Sequence, residues 1–498
     1  MDAAKGTGPG GRRSAGWRAT KIVATIGPAA ERPGVLGKLL RAGVDVVRLN
    51  GAHCKPGDVR RRVALVRRAE RRLGRPVGVL LDLGGPKIRL GVVAGGPLRV
   101  APGQTVEMAP RPAPGRPGDA AVRVHVTYGA LLSDVSPGAE VRIDDGRIRL
   151  RVERRSAGSL RATVLVGGAL RTGAGVNFPD SALSAPALTP KDRRDLREGL
   201  AAGIDLVGLS FVRSAAHVEE LRRALSGVPE KRRPWIVAKI ERPEAVVALT
   251  RIAAVSDALM VARGDLGVEI GLAAVPREQA RILEAGRAAS IPVIVATQML
   301  ESMVESPVPT RAEVSDVAGA VHGGADAVML SGETAVGRFP VEAVRTMAEI
   351  ARTAERSEEH AGPAAGPPAA TGRRDFSVAL AVAEAAAAAA RTAGAAAIVV
   401  YTESGRTARL VSKLGLGIPI VAFSPDDRVR RKMTLLADVV SFRIPRERSV
   451  EAMLRAGDRL LSRAKVLSGR LVVEVSGAAR AAGATNTVRI RRIGKTRR

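Results

Sequence analysis

The stretch WIVAKIE, residues 235–241, starts as a buried strand and ends in two charges. Lys239 and Glu241 stand at i and i+2, which places both on one face of a strand end. The same pattern recurs in KIVATIG (21–27), VDVVRLN (44–50), VGVLLDL (77–83), DLVGLSFV (205–212), ALMVARGD (258–265), PVIVATQM (292–299) and DAVMLSGE (326–333). Continuous Val/Ile/Leu runs between polar residues read as parallel strands covered on both faces. Separated by helical segments such as AEVSDVAGAVHGG (312–324), the eight runs predict a (β/α)8 TIM barrel. Nearly every run carries its polar residues late: Arg48 and Asn50, Asp82, Ser210, Lys239 and Glu241, Asp265, Thr297, then Ser331 and Glu333. Barrel enzymes build their sites at the C-terminal ends of the strands, and core packing alone would not polarise eight strands alike.

The third and fourth runs lie too far apart for one connecting helix. Between them AVRVHVTYG (121–129), AEVRIDDGRIRLRVE (139–153) and LRATVLVGG (160–168) alternate by twos between Gly and Pro turns. That pattern predicts an inserted antiparallel β-barrel lid over 87–185, leaving 18–86 and 186–354 to the barrel. The Pro/Gly/Ala-rich ERSEEHAGPAAGPPAATGRRD (355–375) reads as a linker. Beyond it, an Ala-rich helix and the runs AAIVVY, IPIVAFSPDD and RLVVEVSG predict an open α/β domain over 376–498. Residues 1–17 are expected to be a basic, disordered N-terminus.

Composition narrows the function classes. One cysteine, Cys54, excludes a disulfide framework and fits a reducing compartment, so a cytoplasmic location is expected. The N-terminal stretch has no apolar core of the kind a signal peptide needs. No uncharged apolar run reaches the roughly 18 residues of a membrane span. The formal charge of +30 raises nucleic-acid binding, but the arginines are scattered and aromatic residues are only 2%. Stacking partners for single strands are therefore scarce, and no specific nucleic-acid or membrane partner is expected. RRRVALVRRAERR (60–72) spaces Val63, Leu65 and Val66 among its cations as an amphipathic surface helix would.

Glu241 and Asp265 offer hard oxygen ligands for Mg2+ or Mn2+, with positions left for substrate oxygens. Lys239 beside them would neutralise a transferring phosphoryl group. There is no Walker-type loop, so a nucleotide would be held differently. In VLLDLGGPKIRLG (79–91) an acid, Asp82, is followed by a Gly-Gly-Pro turn and two cations, Lys87 and Arg89.

TKIVATIGPA (20–29), VDVVRLN, AKIERPEA (238–245), MVARGDLGVE (260–269), VIVATQMLESM (293–303) and PTRAEVSDVAGAVHGGADAVMLSGETAVG (309–337) together closely resemble pyruvate kinase. The ordered set on successive strands is specific, and it covers nearly the whole chain. The resemblance implies transfer of phosphate from phosphoenolpyruvate to ADP, giving pyruvate and ATP, in a Mg2+-dependent homotetramer. It casts Lys239 as the lysine at the phosphoryl-transfer transition state and Glu241 and Asp265 as ligands of the divalent ion. Gly264, Asp265 and Thr297 would form the corner that binds the substrate carboxylate, and Arg48 would contact the transferring phosphate. Asn50, His53 and Arg89 fall where the family meets the nucleotide. The loop TESGRTARL (402–410), with Thr402, Ser404, Gly405 and Thr407, matches the region for phosphorylated allosteric effectors. Read without the resemblance, that loop is equally an ordinary capped helix start.

Two departures stand out. Where the family commonly has Asn-Phe-Ser-His this chain has NGAH (50–53), so Ala52 replaces a serine that ligates K+. Where it has Asp-Thr-Lys-Gly-Pro-Glu this chain has DLGGPK (82–87). Pyruvate kinases that work without K+ resemble this chain in having leucine at Leu83 and lysine at Lys87. The expectation is that the Lys87 ammonium replaces the monovalent ion in the region of Asn50, Asp82 and Leu83, so that K+ is not required. Two other readings keep the barrel: a Mg2+-dependent pyruvate-enolate lyase or aldolase, and a catalytically altered binding or regulatory paralogue.

Overall fold

A computed structural model of the chain describes residues 17–93, 95–112, 122–356, 376–463, 467–477 and 485–494. The segments expected to be a disordered N-terminus and a linker lie almost wholly outside them. Eight parallel strands close a barrel: β1 (Lys21–Thr25), β2 (Val46–Asn50), β3 (Gly78–Asp82), β4 (Leu206–Leu209), β5 (Trp235–Ile240), β6 (Ala258–Ala262), β7 (Val293–Ala296) and β8 (Ala327–Leu330). Each is one of the eight apolar runs, trimmed where the chain turns away. Asn50 and Asp82 remain inside their strands, while Ser210, Glu241, Asp265, Thr297 and Glu333 lie just past theirs.

Side-chain alternation decides what faces the barrel axis. Val23, Val46, Leu80, Val237 and Met260 belong to the core that fills the interior, whereas Ile22, Val47, Leu81, Ala238 and Leu259 pack toward the helices. Two residues further along the same inward rows come Thr25, Arg48, Asp82 and Lys239. The barrel is therefore filled with aliphatic layers and capped at its C-terminal end by a polar one. The expected helix over 60–72 runs from Asp58 to Leu73 and buries Val59, Val63 and Val66. Arg60, Arg61, Arg68, Arg71 and Arg72 face solvent, while Arg62 and Arg67 are tucked into ion pairs with Glu31 and Asp205.

The chain leaves the barrel after β3 and returns before the helix Pro190–Ala202. The intervening domain is a six-stranded sheet with a two-stranded ribbon beside it, packed around Met108, Val141, Leu150, Leu160 and Phe178. Its neighbours are antiparallel except Thr105–Ala109 and Val122–His125, which run parallel. At its base the outgoing and returning chains bridge Arg89 to Gly175.

The C-terminal domain is a five-stranded sheet ordered Val439–Arg443, Ile420–Ser424, Ala397–Tyr401, Leu471–Gly477 and Thr485–Arg492, parallel but for the last strand. It docks under the N-terminal ends of the barrel strands. Lys21 Nζ donates to Val439 O at 2.8 Å, and Lys413 pairs with Asp326 at 2.6 Å. One continuous apolar cluster joins Val23, Trp235 and Met260 of the barrel interior to Val411, Met433 and Leu436 of this domain.

Candidate active site

The polar layer at the barrel mouth is a chain of alternating charges. Arg48 reaches Asp82 Oδ2 with Nε at 2.8 Å and Nη2 at 2.7 Å, and its Nη1 donates to Thr25 Oγ1 at 3.1 Å. Lys239 Nζ lies 3.4 Å from the same Asp82 oxygen, 2.8 Å from Glu241 Oε1, and donates to Ser210 Oγ at 2.8 Å. Ser210 passes its own proton to Leu83 O at 2.8 Å, which fixes the hydroxyl as an acceptor for the lysine. Glu241 Oε2 accepts the Phe211 amide at 2.7 Å. Phe211 holds that amide in place from a left-handed backbone, φ 54°, which is uncommon for a bulky residue.

Burial by itself would raise the Asp82 carboxyl and lower the Lys239 ammonium. The cations Lys239 and Arg48 outweigh it at Asp82, which ends below the ordinary aspartate range. Asp82 and Glu241 outweigh it at Lys239, which ends above the ordinary lysine range and carries a fixed positive charge. Glu241, fully buried, is pushed up by burial despite Lys239. Asp82 Oδ1 is buried without a hydrogen-bond donor, whereas buried Glu241 Oε1 faces the Lys239 ammonium at 2.8 Å.

Asp265 opens the helix Arg263–Ile270 directly after β6. Thr297 sits opposite, its backbone also left-handed at φ 70°, a strained position for a β-branched residue. Its Oγ1 accepts the Gly264 amide at 2.7 Å and donates to Ala296 O at 2.6 Å, so three of the expected carboxylate-corner residues are together. Among the described residues no three His, Cys, Asp or Glu side chains form a protein-only metal cage. Glu241 and Asp265 are hard carboxylate donors close enough to influence each other's charge, and they suit a divalent ion that draws its remaining ligands from substrate and water.

The neighbours of the mouth are cationic. The His53 imidazole is pushed down by burial and then by Arg89, Arg48, Lys87 and Lys191, so it is neutral near pH 7 in a positive field. Arg89 is anchored by Nη1 to Gly173 O at 2.8 Å, at the base of the inserted domain. Asn50 and Asp82 are paired across β2 and β3, and buried Leu83 follows. The ion pair that Lys87 makes is with Asp265 Oδ1, at 3.2 Å. In the C-terminal loop Thr402 Oγ1 accepts the Gly405 amide at 2.9 Å within the loop, while Thr407 bonds Thr485 of the last strand at 2.7 Å.

Several residues of this region have no local signal in the sequence. Phe211 acts through its amide. Asn177, Arg142 and Glu269 come together across the junction of lid and barrel from positions far apart in the chain.

Comparison with known proteins agrees with this geometry. A family model for the pyruvate kinase barrel domain matches residues 17–344, and one for the pyruvate kinase alpha/beta domain matches 380–491. The chain belongs to the pyruvate kinase family. The pyruvate kinase of Mycobacterium tuberculosis is 41% identical over 480 residues, 96% of this chain and 99% of the relative. That of Methylorubrum extorquens is 40% identical over 486 residues, 95% and 97% of the two chains. That of Geobacillus stearothermophilus is 40% identical over 477 residues, 95% of this chain and 80% of the relative. As a pyruvate kinase the protein is a phosphotransferase, which sets aside the lyase and the non-enzymatic readings. Among the described residues no helix is long and apolar enough to cross a membrane.

Proposed function

We infer that the enzyme transfers the phosphoryl group of phosphoenolpyruvate to ADP at the barrel mouth, with a divalent cation and without K+. The observation that carries this reading is the Lys239 ammonium, held charged between two buried carboxylates at the end of β5. Phosphoryl transfer asks the protein for position and positive charge more than for covalent chemistry. Lys239 supplies a cation that needs no rearrangement during the reaction. Arg48, immobilised by Asp82 and Thr25, presents a second cation for the phosphate. The Gly264 and Asp265 backbone with Thr297 would orient the substrate carboxylate. His53 and Arg89, with Asn50 nearby, would receive the polyphosphate of the nucleotide, favoured by the positive field there. Glu241 and Asp265 would hold Mg2+ or Mn2+, whose role when bound is to neutralise charge on the reacting oxygens.

The reading of K+ independence rests on Ala52, Leu83 and Lys87. Lys87 brings a permanent cation to the hinge of the inserted domain, where its pair with Asp265 ties it to the same site. A homotetramer and a phosphorylated effector at 402–407 rest on resemblance to the family. The test is pyruvate formation from phosphoenolpyruvate with ADP and Mg2+ each present or omitted. Product formed without ADP would refute the assignment.

A further inference from the structure

Glu241 and Asp265 both lie beyond the reach of the strand ladder. Pairing of β5 with β6 ends at Ile240 and Val261, after which the two chains part. Backbone bonds between neighbouring strands therefore do not set the spacing of the two carboxylates. A buried ion pair behind them spans the same gap. Arg242, the residue after Glu241, places Nη1 2.7 Å from Glu269 Oε1, and Glu269 lies four residues after Asp265 on its helix. The two side chains are 4% and 1% exposed. Glu269 Oε1 also accepts Asn177 Nδ2 at 2.6 Å, and Arg242 Nη2 donates to Ser181 O at 3.2 Å, both on the segment returning from the lid. Arg142 of the lid sheet donates to Val268 O. A buried ion pair contributes little net stability compared with an apolar pair of the same volume. What it offers is a fixed separation.

We propose that Arg242 and Glu269 are positioning residues, a brace that sets the Glu241–Asp265 spacing and with it the affinity for the divalent ion. The proposal rests on the reading that those two carboxylates hold the ion. Partners one step behind a metal's ligands typically tune affinity by about 10–100-fold when lost.

The experiment is direct binding of Mn2+ alone, read from the electron paramagnetic resonance of the free ion, on the full-length enzyme. Glu269→Gln keeps the shape and the bond from Asn177 but removes the buried charge opposite Arg242, which retains the more exposed Glu244 at 3.1 Å. Its Mn2+ Kd is expected to rise by about tenfold or more, with unchanged circular dichroism. Arg242→Met combined with Glu269→Leu removes the pair without leaving a buried lone charge, so it remains informative if the single variant fails to fold. It should show the same loss, no larger than the single variant's. A folded variant binding Mn2+ within twofold of the parent overturns the brace, provided Asp265→Asn has lost binding. If Asp265→Asn binds like the parent, the metal assignment itself is wrong.

Discussion

Replacing Lys239 with methionine removes the one cation that touches both Asp82 and Glu241. Asp82 would keep Arg48 at 2.7 Å. Glu241, fully buried, would keep only the Phe211 amide. Leaving such a charge unpaired costs about 3–5 kcal/mol. The carboxylate can instead take a proton, at about 1.4 kcal/mol per pH unit above an ordinary glutamate value of about 4.3, hence about 3.7 kcal/mol at pH 7. Protonation therefore sets the ceiling on the loss. Its pH dependence follows from the sign of the shift. The folded-state pKa of Glu241 is raised above the unfolded value, so stability is greatest in acid and falls as pH rises. At pH 5.5 the same proton costs about 1.6 kcal/mol, and the deficit relative to the parent should shrink by up to about 2 kcal/mol, less the part that the parent's own raised Glu241 loses between the two pH values. Adding Glu241→Gln should remove that pH dependence. Turnover in both variants should fall by about 10³–10⁵, the range for losing a cation at a phosphoryl-transfer transition state. The measurements are denaturant unfolding at pH 7 and 5.5 and coupled pyruvate formation. A deficit equal at the two pH values refutes the charge argument, and turnover within tenfold of the parent refutes the catalytic role.

Three other outcomes are expected. Lys87→Glu should convert the enzyme from equal rates in K+ and in a bulky organic cation at matched ionic strength to a rate that rises at least tenfold with K+; strong K+ activation of the parent would defeat the reading. Gly85→Ala should cripple activity, because a Cβ there would lie 2.9 Å from the Phe211 ring and 3.0 Å from Ser210 at φ 64°. It would displace the amide that holds Glu241, and an unchanged kcat would show that this amide is dispensable. Lys413→Met leaves Asp326 buried without its partner and should lower stability by about 3–5 kcal/mol while the folded enzyme turns over normally. Unchanged unfolding midpoints would count against that pair.

The barrel was legible because each strand announces itself twice, by a continuous apolar run and by a polar residue late in it. Lys239, Glu241 and Asp82 could be found from that pattern alone, since period two fixes which of them share a face. The ion pair between Lys87 and Asp265 could not, because it spans 178 positions and depends on how the inserted domain leans. The Arg242–Glu269 pair was hidden for another reason. Both residues sit inside conspicuous motifs, where a charged side chain reads as solvated or catalytic rather than buried behind the site. The parallel pair in the lid escaped as well, since alternation marks strands but not their direction.

The floor of the barrel interior is shared property of two domains. Trp235, at the start of β5, packs into the cluster that includes Val411 and Met433, while Lys239 stands at the far end of the same strand. At about 3.3 Å per residue the two are separated by roughly 13 Å of extended chain. A strand is stiff along its length, so a shift of the C-terminal domain would be delivered to the ammonium as a push on a short rod. Excising residues 376–498 would also unroof the bottom aliphatic layer of the barrel. This barrel therefore cannot be borrowed as a free-standing catalytic unit unless its lower layer is first redesigned to face water.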